Sequence, residues 1–204
     1  MPQETRNVDV DEDYLYWPSA PPRGWRWDDL DRLLERMPDL PRRTELLDGM
    51  LIFPAPQTCG HCIATDLLSL GLSEHVPAEL RVARAMNVVL DERNRPDPDV
   101  SVVERRVCTD LDRTWFPASA VRLVCEVMSE DSTERDRRWK PYLYARAGIP
   151  HFWRLEAAES EPVVYVYERD PATGEYALGG VHRDRLQVSV PFPVDIDLRQ
   201  VHHM

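Results

Sequence analysis

Three carboxylates and one lysine in this sequence stand where their residue types could do chemistry. Asp99 follows Pro98 and opens an apolar run, and Glu126 lies inside the run 121–128, between Cys125 and Val127. Glu45 occupies a similar place on the first of two short apolar stretches joined by Asp48-Gly49. A carboxylate inside a buried strand is costly unless a counter-charge or a cation shares the space. Taken singly, each could be a structural ion pair to one of the chain's 24 arginines. Together they allow more. Two carboxylates on adjacent strands can hold one divalent cation through hard oxygen ligands. A nearby ammonium can then orient water or stabilise charge developing on a phosphate. That is the layout of a metal-dependent phosphodiester hydrolase.

The candidate ammonium is Lys140, the only lysine among 25 basic residues. A genome that favours arginine codons explains the scarcity of lysine but not the position that escaped. Arginine is a broad, permanently charged fork, whereas lysine is a compact, tunable ammonium, so a sole lysine marks a place where a fork would not serve. Pro141 follows it and restricts the backbone there.

The elements that must position these residues can be read from spacing. Residues 1–25 form an acidic and then Pro-rich arm, followed by a single domain over residues 26–200. Trp27, Leu30, Leu33, Leu34 and Met37 have helical spacing, ended by Pro38 and Pro41. Asp48-Gly49 between apolar stretches predicts a β-hairpin, since both turn residues need positive φ. Residues 61–72 read as a second helix. Strands are expected over 83–90, 99–104 and 121–128, the last apolar enough to be central. Residues 132–147 read as a helix broken or kinked near Lys140 by Pro141 and stopped at Gly148. Strands over 151–155, 163–168, 175–181 and 186–190 complete the order. A mixed α/β (α+β) sheet flanked by about three helices fits it.

Composition sets limits. The chain has 204 residues, 43% of them apolar, enough for one packed core and with no run long enough to span a bilayer. The N-terminus lacks the apolar segment of a secretory signal, and four cysteines are too few for a disulfide framework. The expected location is therefore cytoplasmic. A net charge of −11 argues against a nucleic-acid binder, which usually carries a basic footprint. The acid is uneven, however: Asp9, Asp11, Glu12 and Asp13 cluster at one end, while Arg135, Arg137, Arg138 and Lys140 form a local basic run.

Four segments taken in order carry a resemblance. They are Pro98-Asp99-Val-Ser-Val-Val, Val124-Cys-Glu126-Val-Met-Ser129, Asp136-Arg-Arg-Trp-Lys140 and Tyr144-Ala-Arg-Ala-Gly148-Ile-Pro150-His-Phe-Trp153. With Glu45-Leu-Leu-Asp-Gly49 and His61, they make the chain resemble the Uma2 family of the PD-(D/E)XK nuclease superfamily, over roughly residues 26–195. The resemblance implies a restriction-endonuclease-like fold and an endonuclease that uses Mg²⁺ or Mn²⁺ on nucleic acid, DNA in the first instance. It is compatible with a homodimer but identifies no interface. It also implies roles: Asp99 and Glu126 as metal ligands, completed by the backbone carbonyl of Val127; Lys140 at the scissile phosphate; Glu45 as an auxiliary ligand or water positioner; His61 as a neighbour. The lysine usually two residues beyond the second acid is replaced by Met128, and Lys140 on the following helix takes its place.

Glu130-Asp131 stands where the family often has Pro-Ser or Pro-Gly, adding two negative charges near the proposed phosphate path. That motivates a second reading, a nuclease-fold binding or regulatory module that does not cut, and a third, a metal-dependent hydrolase of another substrate. Cys59-Gly-His61-Cys62 has zinc-ligand spacing but no second pair, unless His202 and His203 fold back. Ordinary reduced thiols are the expectation. Trp139, Tyr142, Tyr144, Phe152 and Trp153 are expected in the packing rather than as a base-stacking platform. Asp97 is expected to be a turn residue.

Overall fold

The computed structural model describes residues 20–37, 40, 41, 43–128, 135–158 and 161–202. The acidic stretch 9–13, Glu130, Asp131 and His203 lie outside these residues. The first helix, α1 (Trp27–Arg36), buries Leu30 and Leu33 and carries Asp28 and Asp29 in its first turn, where the helix dipole favours acid. Strands β1 (Glu45–Leu47) and β2 (Met50–Ile52) form the expected hairpin. Asp48 and Gly49 have φ of 49° and 76°, the left-handed pair that a tight hairpin turn requires. Arg23 and Trp25 join this hairpin to the chain before α1: the Trp25 amide donates to the Gly49 carbonyl, and Arg93 reaches the Arg23 carbonyl.

Helix α2 (Cys59–His75) extends beyond residues 61–72 at both ends. The expected strand over 83–90 is instead two strands, β3 (Leu80–Arg84) and β4 (Asn87–Val89). Ala85 sits at φ 47°, which a strand cannot continue through, and its amide donates to the carbonyl of Asp99. The chain therefore leaves the main sheet beside Asp99. Strand β4 pairs in parallel with β6 (Trp115–Pro117), which has no clear period in the sequence.

Strands β5 (Val100–Glu104), β7 (Val121–Val127), β8 (His151–Ala158), β9 (Glu161–Arg169) and β10 (Tyr176–His182) join β3 in a six-stranded sheet of order β10-β9-β8-β7-β5-β3. Only β7 and β8 are parallel neighbours in it. The parallel step needs a crossover, and α3 (Lys140–Arg146) lies within it. Strands β11 (Arg185–Val188) and β12 (Val194–Asp197) form a separate antiparallel pair. This is a mixed α/β sheet with few helices, as expected.

The two faces of the sheet bury different sets. Val100, Val102, Leu123, Cys125, Trp153 and Leu155 meet α2 and the β11–β12 pair through Leu67, Leu68, Leu72 and Ile196. Val124 and Phe152 face the other way, toward Tyr144 of α3 and Ile149. Glu126 shares that second face with Val124, because side chains alternate along a strand. A register shift between Val102 and Val103 adjusts β5 against β7. Among the described residues, no helix is long and apolar enough to cross a membrane.

Candidate active site

The register of the central strands brings the first two carboxylates together. Val100 pairs with Cys125 in the antiparallel β5–β7 ladder, so Asp99 enters the sheet beside Glu126. The Val127 amide donates to Asp99 Oδ2 at 2.9 Å. The site is thus the end of the sheet where β5 begins and β7 finishes. Asp99 is 6% exposed and Glu126 2%, so both charges have been taken out of water and must be balanced locally.

Glu45 arrives from the hairpin. Leu46 and Arg95 exchange both backbone hydrogen bonds, at 3.0 and 2.7 Å, docking β1 against the segment that leads to Asp99. The Asp97 amide then donates to Glu45 Oε1 at 3.0 Å. Arg95 anchors this corner from within: buried to 1%, it holds Asp31 of α1 at 2.6 Å and Asn87 of β4 at 3.0 Å.

Lys140 fills the space between the carboxylates. Its Nζ lies 2.7 Å from Glu45 Oε1 and 3.2 Å from Glu126 Oε1, and the residue is 4% exposed. A π-helical stretch, Arg135–Trp139, changes to α-helix at Lys140, with Pro141 in the first turn of α3. This is the irregularity expected near Lys140. Proline lacks an amide proton, which the first helical turn does not need. One turn on, the Tyr144 hydroxyl donates to Glu126 Oε1 at 2.6 Å. Lys140 and Tyr144 are four apart, so one helix face delivers both to the same carboxylate oxygen.

A further ring of groups surrounds Asp99 Oδ1: Arg43 at 3.2 Å, Gln57 at 3.2 Å and His61 Nε2 at 3.1 Å. Burial pushes the Asp99 carboxyl pKa up, but His61, the Val127 amide and the Lys140 charge together hold it below the usual aspartate value. Asp97 goes the other way: burial raises its pKa despite the 2.8 Å ion pair to Arg43 Nε. Its Oδ1 is buried without a hydrogen-bond partner. Asp97 therefore belongs to the site's buried charge, rather than acting only as a turn residue.

The structure gathers Glu45, Asp99, Glu126, Lys140 and His61 at one end of the sheet. It shows Val127 through its amide. Arg43, Gln57 and Tyr144 were missed by sequence reasoning. Tyr144 had a usable signal in its four-residue spacing from Lys140; Gln57 and Arg43, in irregular chain, had none. Tyr144, Phe152 and Trp153 are buried as expected, whereas Tyr142 is 56% exposed. Cys59 and Cys62 are exposed free thiols. Among the described residues, no three His, Cys, Asp or Glu side chains converge with metal-ligand spacing in this arrangement.

The fold has a solved counterpart. A putative nuclease from Anabaena variabilis ATCC 29413, solved by crystallography, is similar with a TM-score of 0.56 and 18% identity, covering 78% of this chain and 88% of that one. P. aeruginosa ATCC27853 NucC in its cAAA-bound form matches with a TM-score of 0.34 and 12% identity, over 63% of this chain and 85% of that one. No curated protein matches the chain. The mixed sheet with few helices is of restriction-endonuclease-like type. Residues 27–200 match the family model Uma2, described as "Putative restriction endonuclease", and the chain belongs to that family.

Proposed function

We propose that the protein is a metal-dependent endonuclease that hydrolyses phosphodiester bonds of DNA, with Mg²⁺ or Mn²⁺ as cofactor. The observation that supports this best is the buried placement of Lys140 Nζ between Glu45 and Glu126, beside Asp99. The donor types suit a divalent cation, although among the described residues they do not stand at metal-ligand spacing. Glu45, Asp97, Asp99 and Glu126 are all buried; Lys140 pairs with Glu45 and Glu126, Arg43 with Asp97 and Asp99, and His61 lies 3.1 Å from Asp99. Buried carboxylates gathered this closely are the hard oxygen donors that a dication takes. Asp97 Oδ1, buried without a hydrogen-bond partner, is an oxygen that such an ion could meet.

Asp99, Glu126 and the carbonyl of Val127 would hold the cation. Bound there, it would polarise a phosphoryl oxygen and lower the pKa of a water molecule. The chain's own residues do the rest. The Val127 amide fixes Asp99 Oδ2, and Tyr144 and Lys140 fix Glu126 Oε1. Lys140 presents an ammonium where phosphate charge develops, a preorganised stabilisation worth roughly 100-fold or more in rate. Glu45 holds that ammonium from the far side and would serve as an auxiliary ligand or water positioner.

Purified protein incubated with plasmid DNA and Mn²⁺ tests the reading. Nicking is expected, and Asp99→Ala and Lys140→Ala should each abolish it. Cation binding with cleavage of no DNA or RNA would favour a hydrolase of another substrate. Neither cleavage nor bound cation would leave a nuclease-fold binding module.

A further inference from the structure

Gln57 Nε2, His61 Nε2 and Asp99 Oδ1 form a closed triangle with sides of 2.8, 3.1 and 3.2 Å. With Asp99 ionised, no arrangement of protons satisfies all three sides. The carboxylate can only accept, so its two neighbours would both have to donate. If both donate to Asp99, Gln57 and His61 face each other donor to donor at 2.8 Å. If His61 accepts from Gln57 instead, its lone pair faces the carboxylate oxygen at 3.1 Å. Turning the Gln57 amide over places its oxygen against the carboxylate at 3.2 Å. One repulsive contact persists in every case.

A cation removes the conflict, because all three atoms can then be acceptors. Two ligands at right angles around a dication, each at about 2.1 Å, lie about 3.0 Å apart. The three sides of the triangle bracket that separation. With the amide turned, Gln57 exchanges its Nε2 contacts with Asp99 and His61 for the cation and gives up a long 3.9 Å contact from Cys62 Sγ. Gln57 is exposed and free to make the turn. His61 Nδ1 is buried without a partner, so no acceptor in the protein dictates the tautomer, which is left to whatever meets Nε2. Asp99 Oδ2 is already committed to the Val127 amide, and Oδ1, which also accepts from Arg43 at 3.2 Å, is the oxygen in the triangle.

We infer that Gln57 Oε1, His61 Nε2 and Asp99 Oδ1 form one face of the cation site, and that the imidazole makes it prefer a transition-metal dication to Mg²⁺. This rests on the metal-dependent reading above and extends its ligand set to α2 and to the residue just ahead of that helix. Carboxylate and water ligands suit Mg²⁺, whereas an imidazole nitrogen favours transition metals. Thr58 caps α2 by accepting from the His61 amide at 3.2 Å, which holds the first turn in place beneath the imidazole.

Calorimetry with Mn²⁺ and with Mg²⁺, together with electron spin echo spectroscopy of the Mn²⁺-loaded full chain, tests the inference. Wild type should bind Mn²⁺ about tenfold or more tightly than Mg²⁺ and show nitrogen coupling to the ion. His61→Asn should abolish that coupling and the preference. Gln57→Ala, at an exposed position, should weaken Mn²⁺ binding severalfold without altering the coupling, and it serves where the histidine variant fails to fold. Mn²⁺ bound without nitrogen coupling in wild type, or with affinity unchanged in both variants, would overturn this ligand set and leave the nuclease reading standing. Absence of any bound dication would overturn both.

Discussion

Lys140 illustrates how one side chain can be structural and chemical at once. Two nearly fully buried carboxylates face its ammonium, and removing one member of such a group leaves uncompensated charge in a poor solvent. Lys140→Met is therefore expected to lower unfolding free energy by about 3–5 kcal/mol in urea titrations, beyond its effect on cleavage. Adding Glu45→Gln should restore part of that stability but no activity; full recovery of both would show that the lysine only balances charge. Tyr144→Phe removes one hydrogen bond to a buried carboxylate and should cost about 1.5–3 kcal/mol with the fold intact by circular dichroism. At this scale much was legible. Asp99, Glu126 and Glu45 stood out because a charge among apolar strand residues needs a partner, and Lys140 because it is single. Gln57 and Arg43 were not legible, since a polar residue in irregular chain has no pattern to violate.

The elements supply the register that turns separate residues into a site. Helix α2 both delivers His61 and packs against β12, where Gly71 lies beneath Ile196. A β-carbon built at Gly71 would fall 2.5 Å from Ile196 Cδ1 and 2.6 Å from its Cγ1, and Ile196 is itself buried. In an exposed helix interior, glycine to alanine stabilises by about 1 kcal/mol. Here Gly71→Ala should destabilise instead, by about 1–3 kcal/mol in urea unfolding, because a packed core does not yield to an added methyl. A gain in stability would show that Ile196 repacks freely. Helices and the strongly periodic strands were readable from sequence. The separation of β3 from β4 was not, because an alanine at positive φ has no sequence signature. The short strands β6 and β12 were missed for a related reason: three or four residues are too few to establish a period of two.

At the scale of the whole molecule, the two ends of the sheet differ in kind. The site occupies one end. His151 begins β8 at the other, opposite Glu168, with its Nδ1 buried and without a partner. Burial lowers its pKa from the ordinary histidine value, and the opposing pull of Glu168 is smaller. A histidine depressed in the folded state is protonated more readily when unfolded. Its contribution is therefore complete above about pH 6.5 and is lost as pH falls toward the folded value. Wild type should lose more stability than His151→Gln between about pH 7.5 and 5.5, read as the difference in urea midpoints. Parallel pH profiles would refute this.

The sequence by itself determined the residue types the site needs and the elements that carry them. Burial cost and backbone periodicity are local properties, visible wherever a charge interrupts an apolar run. Tertiary structure alone decided the partnerships. Glu45 comes from a hairpin docked through Arg95, Lys140 lies between two acids from separate strands, and Gln57 and His61 meet Asp99 across 42 and 38 residues of chain. Such contacts depend on strand order and crossover, and no local spacing encodes them.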